Sequence, residues 1–317
     1  MKILIIRFSS IGDIVLTTPV IRCLKQQLFN CEIHYCTKAT YKSLLEANPY
    51  IDKFHFLEND LTALTEELKA EKFDWVIDLH KNMRTFMLKL KLGVPSKSFN
   101  KLNWEKWLLV NFKINKLPNV HIVDRYFKTV EHLAVNYDGM GLDHFIPAKD
   151  EYSISNLPEN FQKGYAVFAI GGQHETKKLP LAKMIELVAK ITLPVVLVGG
   201  KEDAENAEAI TKSSTKNHVL KLCGKLNLNQ SASVIQQSTK VFTHDTGMMH
   251  IAAAFRKEVI SIWGNTVTEF GMYPFQTKNE SWEVQGLSCR PCSKIGFDKC
   301  PKGHFNCMNL QEFPVTI

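Results

Sequence analysis

No Gly-x-Gly-x-x-Gly fingerprint and no P-loop occurs in the 317 residues, which argues against a standard dinucleotide enzyme or a kinase. Asp-x-Asp is absent as well, so a carboxylate-held Mg²⁺ on a diphosphate is not indicated. No apolar run approaches the length of a membrane span. The opening Met1-Lys2-Ile3-Leu4-Ile5-Ile6-Arg7 lacks a signal peptide's long apolar core, because Arg7 interrupts it. It reads as a buried first strand, and a cytoplasmic location is expected. Short-period repeats and low-complexity tracts are missing too.

What is present is a composition of 45% hydrophobic and 22% charged residues, that of a globular chain. The length exceeds one typical core and fits two domains. The first half alternates strand-like and helix-like segments: strands at Lys2–Phe8, Glu32–Cys36, Phe54–Leu57 and Phe73–Leu79, helices around Tyr41–Ala47 and Leu61–Glu71, and a long helix around Ile122–Val135. A linker is expected over 149–164, where Pro158, Gly164 and two serines interrupt any period. The alternation then restarts with strands at Tyr165–Ile170, Val195–Val198, His218–Leu222, Lys240–Thr243 and Glu258–Trp263. Such alternation predicts α/β domains built on parallel sheets, one over residues 1–155 and one over 156–317, with a ligand at the carboxyl ends of the strands.

The net charge of +7 is uneven. Between Leu79 and Val123 stand nine basic residues (Lys81, Arg84, Lys89, Lys91, Lys97, Lys101, Lys106, Lys113 and Lys116) against one acid, Glu105. Such a zone attracts polyanions: nucleic acid, an anionic membrane surface or a phosphorylated substrate. Scattered lysines also serve simply as a solvated face. Trp104, Trp107, Leu108 and Leu109 inside the zone tilt the balance toward an amphiphilic partner.

Three stretches carry candidate chemistry. His244-Asp245-Thr246-Gly247-Met248-Met249-His250 follows a strand and opens an apolar helix. With Asp245 as N-cap, the first-turn amides would present a site for phosphate or diphosphate. Taken alone, the same residues also fit an ordinary capped helix. The first strand runs into Ser9-Ser10-Ile11-Gly12-Asp13, with Thr18 expected to cap the next helix and Pro19 in its first turn. Asp13 is then placed either to act as a general base, worth about 10²–10⁴-fold in rate, or merely to cap a short turn. Gly171-Gly172 leads into Lys177-Lys178, either of which could neutralise a phosphate or be solvated. Finally, Cys289, Cys292, Cys300, His304 and Cys307 fall within 19 residues. That density fits a small structural zinc site as well as it fits reduced, packed thiols.

Taken together, Phe8-Ser9-Ser10-Ile11-Gly12-Asp13, Thr17-Thr18-Pro19, Thr176-Lys177-Lys178-Leu179-Pro180, Asp245-Thr246-Gly247-Met248-Met249-His250-Ile251-Ala252 and Trp263-Gly264-Asn265-Thr266 resemble the bacterial glycosyltransferases of family 9, the ADP-heptose:lipopolysaccharide heptosyltransferases. The Cys cluster is similar to one in heptosyltransferase II-like members. The resemblance implies a GT-B fold, two Rossmann-like domains facing a central cleft, and an inverting, metal-independent sugar transfer. It implies Asp13 as general base and Lys177 as a contact to the donor phosphates. It implies Ser9, Ser10 and Asp245 near the leaving group and donor sugar, with the Thr246, Gly247, Met248 and Met249 amides and His250 on the diphosphate. Lys81 and Arg84 would meet the acceptor. The implied partners are an ADP-sugar and a phosphorylated lipid-linked oligosaccharide, with peripheral contact at the inner face of the membrane and no nucleic acid. No cofactor is implied for catalysis. Lys178-Leu179 and Asn265 depart from the family's usual residues, leaving donor contacts there unassigned. Two rival readings are a sugar-nucleotide epimerase or hydrolase of related fold, and a basic zinc-containing nucleic-acid-binding protein. The latter leaves Asp13 and the two-domain alternation unexplained.

Overall fold

The computed structural model describes residues 1–214 and 218–317. The chain divides into two compact units, one of residues 1–101 and 120–145 and the other of 102–119 and 146–317. The division is not a single cut, since the 102–119 excursion belongs with the second unit.

In the first unit, β1 (Lys2–Ile6), β2 (Glu32–Thr37), β3 (Lys53–Phe56), β4 (Trp75–Asp78) and β5 (Ser96–Ser98) form a sheet of order β3-β2-β1-β4-β5. Every pairing is parallel. β1 is apolar over Ile3–Ile6 and buried throughout that run, as a central strand covered on both faces must be. The helices are α1 (Ile11–Val15), α2 (Thr18–Gln27), α3 (Leu61–Ala70), α4 (Met83–Leu92) and, later, α6 (Ile122–Phe127). Leu64 and Leu68 of α3 and Leu88 of α4 pack with Leu4, Ile6 and Val76.

Two helices are shorter than the sequence predicts. The segment expected around Tyr41–Ala47 is a 3₁₀ run, Ala39–Leu44. The long helix expected over Ile122–Val135 stops at Phe127. There the Thr129 amide and hydroxyl both donate to Tyr126 O, at 2.9 and 2.6 Å, tightening the turn and diverting a carbonyl that a continuing helix would use. Thr17 rather than Thr18 caps α2, with Pro19 still in its first turn.

The second unit holds α5 (Asn103–Phe112), α7 (Glu159–Gln162), β6 (Ala166–Ala169), α8 (Leu181–Lys190), β7 (Val195–Val198), α9 (Ala204–Ser213) and β8 (Val219–Lys221). α10 (Leu228–Gln237), β9 (Lys240–His244), α11 (Gly247–Ala254), β10 (Glu258–Trp263), β11 (Asn279–Glu283) and α12 (Asn306–Asn309) follow. The sheet order is β11-β10-β9-β6-β7-β8, again all parallel. Met184 and Leu187 of α8, Ile210 of α9 and Met308 of α12 cover one set of sheet residues. Val234 and Ile235 of α10 with Met249 and Ala252 of α11 cover another. Leu109 of α5 is buried against Val267 and Phe270. No helix among the described residues is long and apolar enough to cross a membrane.

Candidate functional site

Strand order fixes where each unit can bind. In an open parallel sheet, a crevice opens where neighbouring strands send their following connections to opposite faces. That point lies between β1 and β4 in the first unit and between β6 and β9 in the second.

In the first unit, the chain leaving β1 carries Arg7 to Asp13. Asp13 sits at the third position of α1 and reaches back to Ser10, accepting from its hydroxyl at 2.8 Å and its amide at 3.3 Å. Its other oxygen pairs with Arg7 Nη2 at 2.6 Å. The carboxylate therefore does cap its turn, and it is also held by a buried guanidinium while its side chain stays 20% exposed. Arg7 is fixed by Ser9 O at 2.7 Å, Leu79 O at 2.5 Å and the Tyr126 hydroxyl at 3.4 Å. Burial works against its charge, but the Asp13 carboxylate together with Tyr126 and Tyr35 outweighs burial and holds the pKa above the ordinary arginine value.

The chain leaving β4 is shaped by buried Asp78, which accepts from the His80 and Lys81 amides at 3.0 and 2.7 Å and pairs with Lys89 at 2.9 Å. Burial alone would raise the Asp78 carboxyl; the Lys81 amide and Lys89 ammonium more than reverse that and hold it below the usual range. Lys81 takes a left-handed backbone, φ 50°, and is exposed, as is Arg84 in the first turn of α4. His80 was not singled out by the sequence reading. Burial, with Arg7 and Lys101 nearby, pushes its imidazole down to about 4, so it is neutral at physiological pH. Its place directly after β4, one residue before Lys81, was the signal available.

The basic zone is not one surface. Lys89 is consumed by Asp78 and Ser98. Lys106, Lys113 and Lys116 belong with the second unit, where Lys106 lies over the Phe270 ring and Lys113 donates to Cys289 O and Pro291 O.

In the second unit, the expected N-cap is corrected by one residue: Thr246, not Asp245, caps α11. Asp245 turns away to accept from the Thr266 hydroxyl at 2.7 Å and to pair with Lys177 Nζ at 2.7 Å. Lys177 also donates to Asp245 O at 3.1 Å. The lysine after β6 thus stands against the segment that enters α11. The Met249 amide folds back to Thr246 O, so the turn offers the Gly247 and Met248 amides as its outward donors. The Met249 and His250 side chains are buried. Lys178 turns elsewhere, to Glu175 and toward Asp203. Gly172 is pressed between them: a Cβ there would lie 3.2 Å from both Lys178 Cγ and Thr246 Cγ2. Buried His244 accepts from the Leu179 amide at 3.0 Å, and burial together with Lys178 pushes it down to about 3.

The cysteine segment braces this loop pair. Cys292 N donates to Asn265 O, Asn265 Nδ2 to Ser293 Oγ, and Arg290 Nη2 to Thr266 O, the carbonyl of the residue that holds Asp245. Thr176 and Phe297 bond in both directions, at 3.1 and 2.8 Å. All four thiols are reduced; burial first, then neighbouring thiolate charge, raises Cys292 to about 11 and Cys307 to about 12. Cys289 Sγ lies 4.0 Å from His304 Nε2.

Ser9, Ser10 and Asp13 are therefore gathered at the first unit's switch point, near Lys81. Lys177, Asp245, Thr246, Gly247 and Met248 are gathered at the second's. The family profile of glycosyltransferase family 9 (heptosyltransferase) matches residues 61–299, a stretch that contains the second group and Lys81 and begins after Asp13. The lipooligosaccharide heptosyltransferase 2 of Haemophilus influenzae is 26% identical over 304 residues, covering 85% of each chain. Among solved structures, a family 9 glycosyltransferase from Veillonella parvula superposes with TM-score 0.73 at 23% identity, over 90% of this chain and 88% of that one. An E. coli heptosyltransferase solved with ADP gives TM-score 0.66 at 21% identity, over 89% and 92%. The GT-B fold expected from the sequence is borne out by these matches, and with three quarters of its length covered by the family profile the chain belongs to glycosyltransferase family 9, the heptosyltransferases.

Proposed function

We propose that this glycosyltransferase moves a heptose from ADP-heptose to a phosphorylated, lipid-linked oligosaccharide acceptor of the lipopolysaccharide core, by one inverting displacement. The acceptor hydroxyl gives its proton to Asp13 as its oxygen attacks the anomeric carbon. The bond from that carbon to the diphosphate oxygen breaks, and ADP leaves with the electron pair. Attack from the face opposite the leaving group inverts the anomeric centre. Lys177 and the Gly247 and Met248 amides stabilise the departing diphosphate, the task a divalent cation performs in enzymes that use one. Ser9 and Ser10 are assigned to the leaving group, Asp245 to the donor sugar, and Lys81 and Arg84 to acceptor phosphate.

The observation that carries this reading is the meeting of Lys177 with the α11 entry through Asp245, a cation and helix amides at one switch point. The ADP in the E. coli heptosyltransferase crystal supports the choice of nucleotide. Peripheral contact with the inner face of the membrane is supported by α4, whose Met83, Phe86, Met87 and Leu90 are all exposed at helical spacing beside Arg84 and Lys91. The Cys289, Cys292, Cys300 and Cys307 sulfurs would hold a structural zinc that braces the loop pair; a set of soft thiols gathered within 19 residues fits such an ion. The test is product analysis with ADP-heptose and acceptor in EDTA. The proposal expects a new glycosidic bond of inverted configuration and free ADP; ADP release that is the same without acceptor would identify a hydrolase instead.

A further inference from the structure

Two fully buried histidines face each other across β2 and β3. His34 Nδ1 and His55 Nε2 stand 2.8 Å apart, with ring centroids 5.0 Å apart and Phe73 edge-on to both. The outer nitrogen of each ring meets a carboxylate: His34 Nε2 lies 2.7 Å from Glu32, and His55 Nδ1 bonds Glu67 of α3. An ionised carboxylate only accepts, so each outer nitrogen carries the hydrogen. A neutral imidazole has only one, which leaves two bare lone pairs pointing at each other. A positive charge must lie between them.

A third proton could supply it but would leave one observation unused. Glu71, at the end of α3, brings Oε2 to 3.9 Å from His34 Nδ1, and the three ligand atoms all lie within 4.8 Å of one another. Lys53 and Lys2 both pair with that carboxylate. Imidazoles fixed by outer carboxylates around a shared point are the usual surroundings of a bound metal.

We propose that His34 Nδ1, His55 Nε2 and the Glu71 carboxylate form a structural site for a divalent transition-metal ion, zinc being the one probed, with Glu32 and Glu67 orienting the two rings. Ligand bonds of about 2.0–2.2 Å require the facing nitrogens to part by a few tenths of an ångström. Lys2, which shares Glu71 at 3.0 Å, has Glu32 at 3.5 Å as its alternative partner. The ion would tie edge strand β3 and the end of α3 to β2.

Native mass spectrometry of the full chain with added zinc tests this by counting ions per chain, a count that a second site at the cysteines shifts equally in every variant. His55→Gln and Glu71→Gln are each expected to hold one zinc fewer than the wild type. Glu67→Gln should weaken that one ion about 10–100-fold. Glu71 is at the rim and the glutamine is near-isosteric, so E71Q remains informative if H55Q does not fold. Equal zinc counts in the wild type and E71Q would overturn the site and leave a shared proton between the rings.

Discussion

At the residue scale, Asp13 is held by three donors, two from Ser10 and one from Arg7, before any substrate arrives. That arrangement fixes the carboxylate's direction, which a general base needs more than it needs freedom. Arg7→Lys is therefore expected to lower kcat severalfold while leaving donor affinity intact, because a lysine cannot reproduce the bonds to Ser9, Leu79 and Asp13 together. Steady-state kinetics with both substrates measures this; a change confined to donor KM would contradict it. Lys177 is proposed for the complementary role. Lys177→Ala should cost about 10²–10³-fold in kcat and also weaken ADP binding, as expected for a contact made to the leaving group. The melting temperature must be followed in parallel, since the same change leaves Asp245 without its ion partner.

At the element scale, α11 and the loop after β6 are placed by neighbours that no short motif contains. The Asp245 carboxylate is set by Thr266, Thr266 by Arg290, and the residue before Lys177 by Phe297. Those partners lie between 21 and 121 residues away along the chain, so the sequence reading could identify Lys177 and Asp245 but not see that they touch. It placed the cap at Asp245 for the same reason: an aspartate before an apolar helix is a good cap until a lysine and a threonine claim it. β11 was not foreseen either. Its Asn279-Glu280-Ser281-Trp282-Glu283 has little β character, and it pairs only with β10 at the sheet edge, where polar strands are tolerated. For α4, Phe86→Ser combined with Leu90→Ser should reduce binding to anionic vesicles by about tenfold without altering the melting temperature, because both side chains are exposed. Vesicle co-sedimentation reads this, and unchanged binding would remove α4 from any lipid contact.

At the scale of the whole molecule, the alternation of strand and helix was legible through most of the chain, because both sheets are parallel and their central strands are apolar on two faces. What the linear order hid is that residues 102–119 fold with the second unit, which split the basic zone between two bodies. Each unit also holds a histidine that resists protonation: half-buried His80 at about 4 and buried His244 at about 3, against an ordinary value of 6.5. Their folded values lie below the unfolded one, so the unfolded chain binds the protons more readily. The stability they allow is complete above about pH 6.5 and is lost as pH falls toward 4. The loss is expected to be on the order of a few kcal/mol, and His244→Gln should flatten it in urea denaturation followed between pH 7 and 4.5. An unchanged slope in that variant would contradict the assignment to His244.

The division of labour between the two switch points is tested most directly by Asp13→Asn, measured for both single-turnover transfer from ADP-heptose and affinity for ADP. The account predicts that transfer falls by about 10²–10⁴-fold while ADP binds as to the wild type. Transfer at near-normal rate, or a loss that appears equally in ADP affinity, would contradict it.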